Sequence, residues 1–227
     1  RQAQPAPVAR VTKPDDPPPP PPPPPHPPPT MPRDIDPVSG FRLPFPDREA
    51  LDDDAKALYD RFCDPDGGSY VGLRGPGGIR LHSPQLALRT QNINTYLRRD
   101  AGIPLANREL SILVTVREFD SQFEWCAHED EALKAGISPE VIEIVRHRKP
   151  IDDLPEEQYL IIQLGREMFG DHKVTSETFA RALALWGERH LLDFVSVMAN
   201  YANTAAILCV FDMQLPEGKE PGLPALD

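Results

Sequence analysis

From Asp47 onward, apolar residues recur three and four positions apart. Between residues 48 and 62, Leu51, Ala55, Leu58, Tyr59 and Phe62 fall on one stripe, the pattern of a surface helix with one buried face. The same spacing predicts helices over 83–99, 105–119, 121–135, 138–147, 155–169, 175–186 and 188–213. Start and stop residues agree with it: Ser83-Pro84 and Ser138-Pro139-Glu140 each offer an N-cap before a first-turn proline, and Ala135-Gly136 closes the helix between them. No stretch alternates strictly as a half-buried strand does, so the expected class is all-α, with about six to eight helices. The last helix, Leu191 to Phe211, is apolar over most of its circumference. Such a helix needs cover on several sides, which predicts a subunit interface as well as a core.

The chain before residue 47 has a different character. It holds 19 of the 29 prolines, including the unbroken run Pro17 to Pro25. Such a tract favours a polyproline II rod over a packed core. The expected organisation is therefore a proline-rich tail or stalk over 1–46 and a helical domain over 47–227. For the tail two readings stand open: attachment or spacing at a surface, and a tail without a partner. A glycine-rich stretch, Pro65 to Gly78, lacks the arrangement that cradles phosphates and reads as a connecting loop at a pocket's edge.

Composition narrows the functional classes. The formal net charge is −11, and the basic residues form no stripe, so no nucleic-acid partner is expected. No uninterrupted run of about 18 apolar residues occurs, so no membrane span is expected. Cys63, Cys126 and Cys209 form neither a C-x-x-C pair nor a zinc spacing, and no disulfide framework is expected. Arg1 in place of an initiating Met, together with the stalk-like tract, leaves an exported protein (periplasmic or extracellular) or a cytoplasmic one, with export preferred.

Candidate chemistry concentrates in the helix over 121–135. Glu124 and His128 are four residues apart, roughly 40° around the axis, and Ser121 falls within about 20° of His128, whereas Cys126 is rotated by roughly 200°. Ser121, Glu124 and His128 are thus expected to converge without Cys126. A carboxylate beside an imidazole is a proton-transfer unit, because it adjusts the imidazole's basicity and its tautomer. An exposed helical ion pair fits the spacing too. A metal reading uses Glu124 and His128 with Glu109 or Glu131 as a third ligand, but the chain offers no second module to complete a dinuclear centre, and no metal or cofactor is expected. Arg80 and His82 are candidates to meet an anionic substrate, and Trp125 to border the pocket. Their competing readings are a solvated loop charge, a residue at a helix start and a tryptophan beside the core.

The segments Arg108-Glu109-Leu110, Phe123-Glu124-Trp125, Ala127-His128-Glu129 and Ala132-Leu133-Lys134-Ala135-Gly136 resemble the carboxymuconolactone decarboxylase family, and within it the relatives of the alkylhydroperoxidase AhpD. The resemblance is most specific over 105–147, extends over 47–213, and leaves out the proline tail. It implies an AhpD-like all-helical fold, a homo-oligomer (trimer or hexamer), and an active site near the motif helix and a subunit boundary. AhpD-type peroxidases carry a glutamate, a CxxC pair, and a histidine four residues after the second cysteine. Here Glu109 and His128 take the glutamate and histidine positions, and Ser121 and Glu124 stand where the cysteines would be.

That departure removes the thiolate and the resolving thiol that peroxide turnover needs. What remains resembles the non-redox members, which decarboxylate or isomerise a small lactone or carbonyl acid without a cofactor. The roles so implied are His128 as general acid/base, Glu124 as its partner, Glu109 as the orienting carboxylate and Ser121 as a hydrogen-bond donor. The alternatives are a peroxidase using Cys126 and a non-catalytic binding or structural protein.

Overall fold

Asp52, Ser138 and Thr175 each stand one residue before a helix and accept a hydrogen bond from the backbone N–H three positions on, at Ala55, Val141 and Thr178. In the computed structural model, which describes residues 31–66 and 71–224, these caps open three of eight helices. They are α1 (Asp53–Cys63), α2 (Pro76–Arg80), α3 (Pro84–Thr95), α4 (Leu105–Glu118), α5 (Gln122–Lys134), α6 (Pro139–Arg146), α7 (Glu156–Phe169) and α8 (Ser176–Val210). A π-type turn, Tyr96–Asp100, extends α3. The fold is all-α, with no strand among the described residues. Ser83 sits at the N-cap of α3 but makes no capping bond, leaving Pro84 as the start signal. The polyproline tract, Gly67 and Gly68 lie outside the described residues.

The predicted boundary between 186 and 188 appears inside α8 as Gly187, whose φ of 71° and ψ of 171° interrupt the helix. Left-handed φ is strained for a residue with a Cβ, so glycine is the residue that permits the break. By length and composition α8 is long and apolar enough to cross a membrane, although polar residues interrupt its apolar run. Its inner face is core, with Phe194, Val197, Met198, Tyr201, Ala205 and Leu208 buried. Its outer face leaves Leu185, Leu192 and Val210 exposed.

The core is organised around α4, which packs against α5, α7 and α8 and is buried at every residue from Asn107 to Arg117. A helix enclosed on all sides carries its polar side chains inside with it, and each of those must find a partner. Trp125 of α5 belongs to this core: it is fully buried, its Nε1 donates to Glu129 Oε2 at 2.8 Å, and the Arg146 guanidinium lies 5.0 Å from its ring centre.

Two segments depart from the sequence expectation. The compact unit begins at Arg33, not at residue 47. Phe41 is fully buried with Ile79, Phe123 and Leu208, and the backbone bonds Arg42 N to Phe211 O and Gln214 N to Gly40 O tie the segment to the end of α8. Proline density reports backbone stiffness, not burial, and a short non-helical segment has no period to reveal it. The second departure is α2, which forms within the stretch expected to be loop. There a Cβ on Gly78 would overlap the carbonyl of Leu73, so glycine allows this short helix to settle onto the preceding chain.

Candidate functional site

Because α4 is enclosed, Glu109 is fully buried and both its oxygens are occupied. Arg108 donates to Oε1 from Nε (3.2 Å) and Nη2 (3.0 Å), and His128 of α5 meets Oε2 with Nδ1 at 2.7 Å. Arg108 also reaches back from Nη1 to the carbonyl of Arg98 at 2.6 Å, pinning the turn after α3. Burial alone would raise the Glu109 carboxyl above its usual range. The His128 and Arg108 contacts outweigh it, and the net shift is downward. A carboxylate only accepts, so in the neutral imidazole Nδ1 carries the proton and Nε2 keeps the lone pair.

That second nitrogen lies 3.6 Å from Glu124 Oε2, one helical turn earlier on α5. Glu124 is buried too, and burial pushes its carboxyl up, opposed by the charges of His128, Arg80 and Arg98. The Tyr201 ring stands edge-on to His128, with centres 5.0 Å apart and planes 88° apart, fixing the imidazole from the α8 side. The ring is thus bonded at Nδ1 and packed edge-on by Tyr201, with Glu124 within ion-pair distance of Nε2. The carboxyl behind the ring is shifted down and the one before it up, so two carboxyls in different environments share one imidazole.

Glu124 and His128 form part of the wall of a cavity of about 400 Å³, to which α2 contributes Arg80, the π turn Arg98, and α8 Tyr201 and Thr204. This is the size range of small-molecule sites. Arg80 is only 7% exposed. Its Nη2 donates to Thr204 Oγ1 at 2.8 Å and to Asn203 Oδ1 at 3.4 Å, while Nε has no partner among the described residues. Burial lowers its pKa, with Glu124 and Tyr201 acting in the opposite direction.

Four of the sequence candidates therefore come together: Glu109, Glu124, His128 and Arg80. Glu109 stands behind the other three and off the cavity wall, and four further candidates join neither the cluster nor the wall. Ser121 is the N-cap of α5 with non-helical ψ of 89°, so a 100° per residue projection does not extend to it. His82 is exposed, with Nε2 3.0 Å from the Pro44 carbonyl and its ring edge-on to Phe41, and it holds the segment before α1. Trp125 is core. Cys126 lies away from the cavity wall with Sγ 3.5 Å from the Glu220 carbonyl, and burial pushes its thiol up.

Glu131, considered as a third metal ligand, pairs with Lys134 at 2.7 Å. Glu109 and Glu124 meet opposite nitrogens of the His128 ring, so the three cannot close on one ion. Among the described residues no group of three His, Cys, Asp or Glu is placed to hold a metal.

Sequence reasoning missed Arg98, Arg108 as the anchor of Glu109, and the α8 contribution. One signal for the last was present: Asn200, Tyr201 and Thr204 interrupt the apolar run of α8 at helical spacing and line the cavity together.

No family model matches this chain, and no curated protein matches it. Among solved structures it is similar to the alkylhydroperoxidase AhpD core of an uncharacterized peroxidase-related protein from Ralstonia eutropha JMP134. The match has 18% identity and a TM-score of 0.61, covering 78% of this chain and 93% of that one. At that identity the likeness establishes the fold: the helical unit is AhpD-like.

Proposed function

We propose that this AhpD-like domain is a cofactor-free proton-transfer enzyme. It decarboxylates or isomerises a small lactone or carbonyl acid, in the manner of the carboxymuconolactone decarboxylases that its motif segment resembles. The observation that carries the reading is His128 held between Glu109 at Nδ1 and Glu124 at Nε2, with Glu124 and His128 on the cavity wall.

In a decarboxylation, the bond between the carboxylate carbon and its neighbour breaks, CO2 leaves, and the bonding pair moves into the adjacent unsaturated carbonyl as an enolate. The Glu124 carboxyl then delivers a proton to carbon and is reprotonated through His128 from solvent, so one proton is consumed for each CO2 released. In an isomerisation, His128 Nε2 takes a proton beside the carbonyl and Glu124 returns one at the conjugated position, with no net uptake. The low-lying Glu109 carboxylate stabilises the imidazolium formed in either case.

The solved neighbour's description as peroxidase-related favours a second reading, peroxide reduction through Cys126. Against it stand the raised thiol and its place away from the cavity. We read the exposed Leu185, Leu192 and Val210 as part of a homo-oligomer contact, and the proline tract as a spacer or surface attachment. The enzymatic reading is tested by following CO2 release from a panel of lactone and β,γ-unsaturated keto acids. Release by wild type and its loss in His128→Ala supports the proposal. Equal release by both contradicts it, and peroxide turnover abolished by thiol alkylation transfers the assignment to Cys126.

A further inference from the structure

Two helices present neutral hydrogen-bonding side chains to the cavity: α3 with Thr90, Asn94 and Thr95, and α8 with Asn200 and Thr204. Thr95 and Thr204 spend their hydroxyls on the backbone carbonyl one turn earlier, at Gln91 (2.9 Å) and Asn200 (3.0 Å), as helical threonines commonly do. Thr90 does not. The residue is more than nine-tenths buried, yet its hydroxyl makes no hydrogen bond among the described residues. The side-chain polar atoms that are both unpaired and sealed from solvent lie elsewhere, on Arg80, Arg117 and Asp193, so the Thr90 hydroxyl opens onto the cavity. One turn further along α3, Asn94 accepts from Asn200 at 2.7 Å, a bond that bridges the two helices. A primary amide has more capacity than that one bond uses, and the pair keeps at least one N–H donor and one carbonyl acceptor for a ligand. The count is the same whichever way round the two amides are oriented.

We propose that Thr90, Asn94 and Asn200 form a hydroxyl-binding subsite, and that the small acid or lactone taken by the cavity carries hydroxyl groups away from its reacting centre. A hydroxyl both donates and accepts, so it satisfies the amide N–H and the amide carbonyl together. A carbonyl or carboxylate oxygen only accepts, and would leave the amide carbonyl desolvated and unpaired. An apolar chain would do the same to all three groups. The subsite adjoins the proposed reaction centre, because Asn200 precedes Tyr201, whose ring packs on His128. The inference rests on the proposed proton-transfer chemistry and narrows its substrate class to hydroxylated acids and their lactones. Thr90, Asn94 and Asn200 then determine specificity and take no part in the proton transfer.

The experiment uses the full chain and measures binding by calorimetry, independent of turnover. Each hydroxylated monoanion is compared with its plain counterpart of the same chain length: gluconate with hexanoate, and erythronate with butyrate. Succinamate, a four-carbon monoanion with an amide in place of hydroxyls, controls for hydrogen-bonding capacity alone. The proteins are wild type, Thr90→Val and Asn94→Leu, with thermal unfolding to check that each variant folds. Thr90→Val keeps the size and shape of the side chain, so the test stands on it if Asn94→Leu does not fold. The expected result is binding of the hydroxylated acids at least about tenfold tighter than their plain counterparts in wild type. That ratio falls about fivefold in Thr90→Val and close to one in Asn94→Leu, with plain-acid affinity unchanged. Four outcomes overturn the inference: a ratio near one in wild type, no measurable binding of gluconate or erythronate, succinamate bound as tightly as erythronate, or a ratio unchanged in the folded variants. A hydroxyl preference without turnover of any acid or lactone leaves this inference standing and removes the enzymatic reading. His128-dependent turnover of plain lactone or keto acids, with no hydroxyl preference in binding, does the reverse.

Discussion

The imidazole of His128 is bonded through Nδ1 to Glu109 Oε2 at 2.7 Å, and this contact joins α5 to α4 through two residues 19 positions apart in the sequence. It connects the most enclosed helix of the core to the wall of the cavity. Glu109 itself is locked by Arg108, so the position of the imidazole is set by the core and not by a flexible loop.

Glu109→Gln should therefore disable the site and loosen the core together. An amide neither stabilises the imidazolium nor enforces one tautomer, and a loss of about 100-fold in kcat is expected. Arg108 would be left buried without its counter-charge, at a cost of about 3 kcal/mol. Steady-state kinetics and urea denaturation check the two effects separately, and a variant as active and as stable as wild type would contradict the account.

The two glutamates predict opposite pH dependences of stability. Glu109 has a folded-state pKa below its unfolded value, so its contribution is present above the unfolded pKa and is lost as pH falls through the folded one. For Glu124 the folded-state pKa is raised, so the native state holds a proton that the unfolded state has released. Stability then declines as pH rises from the unfolded pKa of about 4.3 toward the folded value. Glu124→Gln removes that decline. Its stability relative to wild type should increase from pH 4 to pH 8, by urea denaturation at each pH, and a flat or falling difference would show the carboxyl to be ionised in the native state.

Cys126→Ser should leave turnover of the acid substrate unchanged. The side chain faces the Glu220 carbonyl and is absent from the cavity wall, and the two exposed thiols, Cys63 and Cys209, are on other elements. Activity is compared before and after treatment with a thiol-alkylating reagent. Parallel loss in treated wild type and in the variant would instead indicate thiol chemistry.

Much of the fold is legible in the sequence because the helices are amphipathic and their ends are marked. Asp52, Ser138 and Thr175 cap as their residue types suggest, and the break at Gly187 falls between the two helices expected around it. The pair Glu124 and His128 was readable for the same reason, since both belong to one regular helix. Ser121 falls outside the helical projection because a cap residue leaves the helical path. Burial of Phe41 and the short α2 were not legible, as neither segment is long enough to show a period. Least legible was the cavity, whose arginines come from α1, α2, α4 and the π turn and meet only through tertiary packing.

The central claim is proton transfer through His128, and solvent exchange reports it directly. Proton NMR in D2O, on the panel of lactone and unsaturated keto acids, follows deuterium entering the carbon skeleton with wild type, His128→Ala and Glu124→Gln. The account predicts deuterium incorporation by wild type that is abolished in His128→Ala and strongly reduced in Glu124→Gln. Incorporation at the wild-type rate in the folded His128→Ala protein would contradict it.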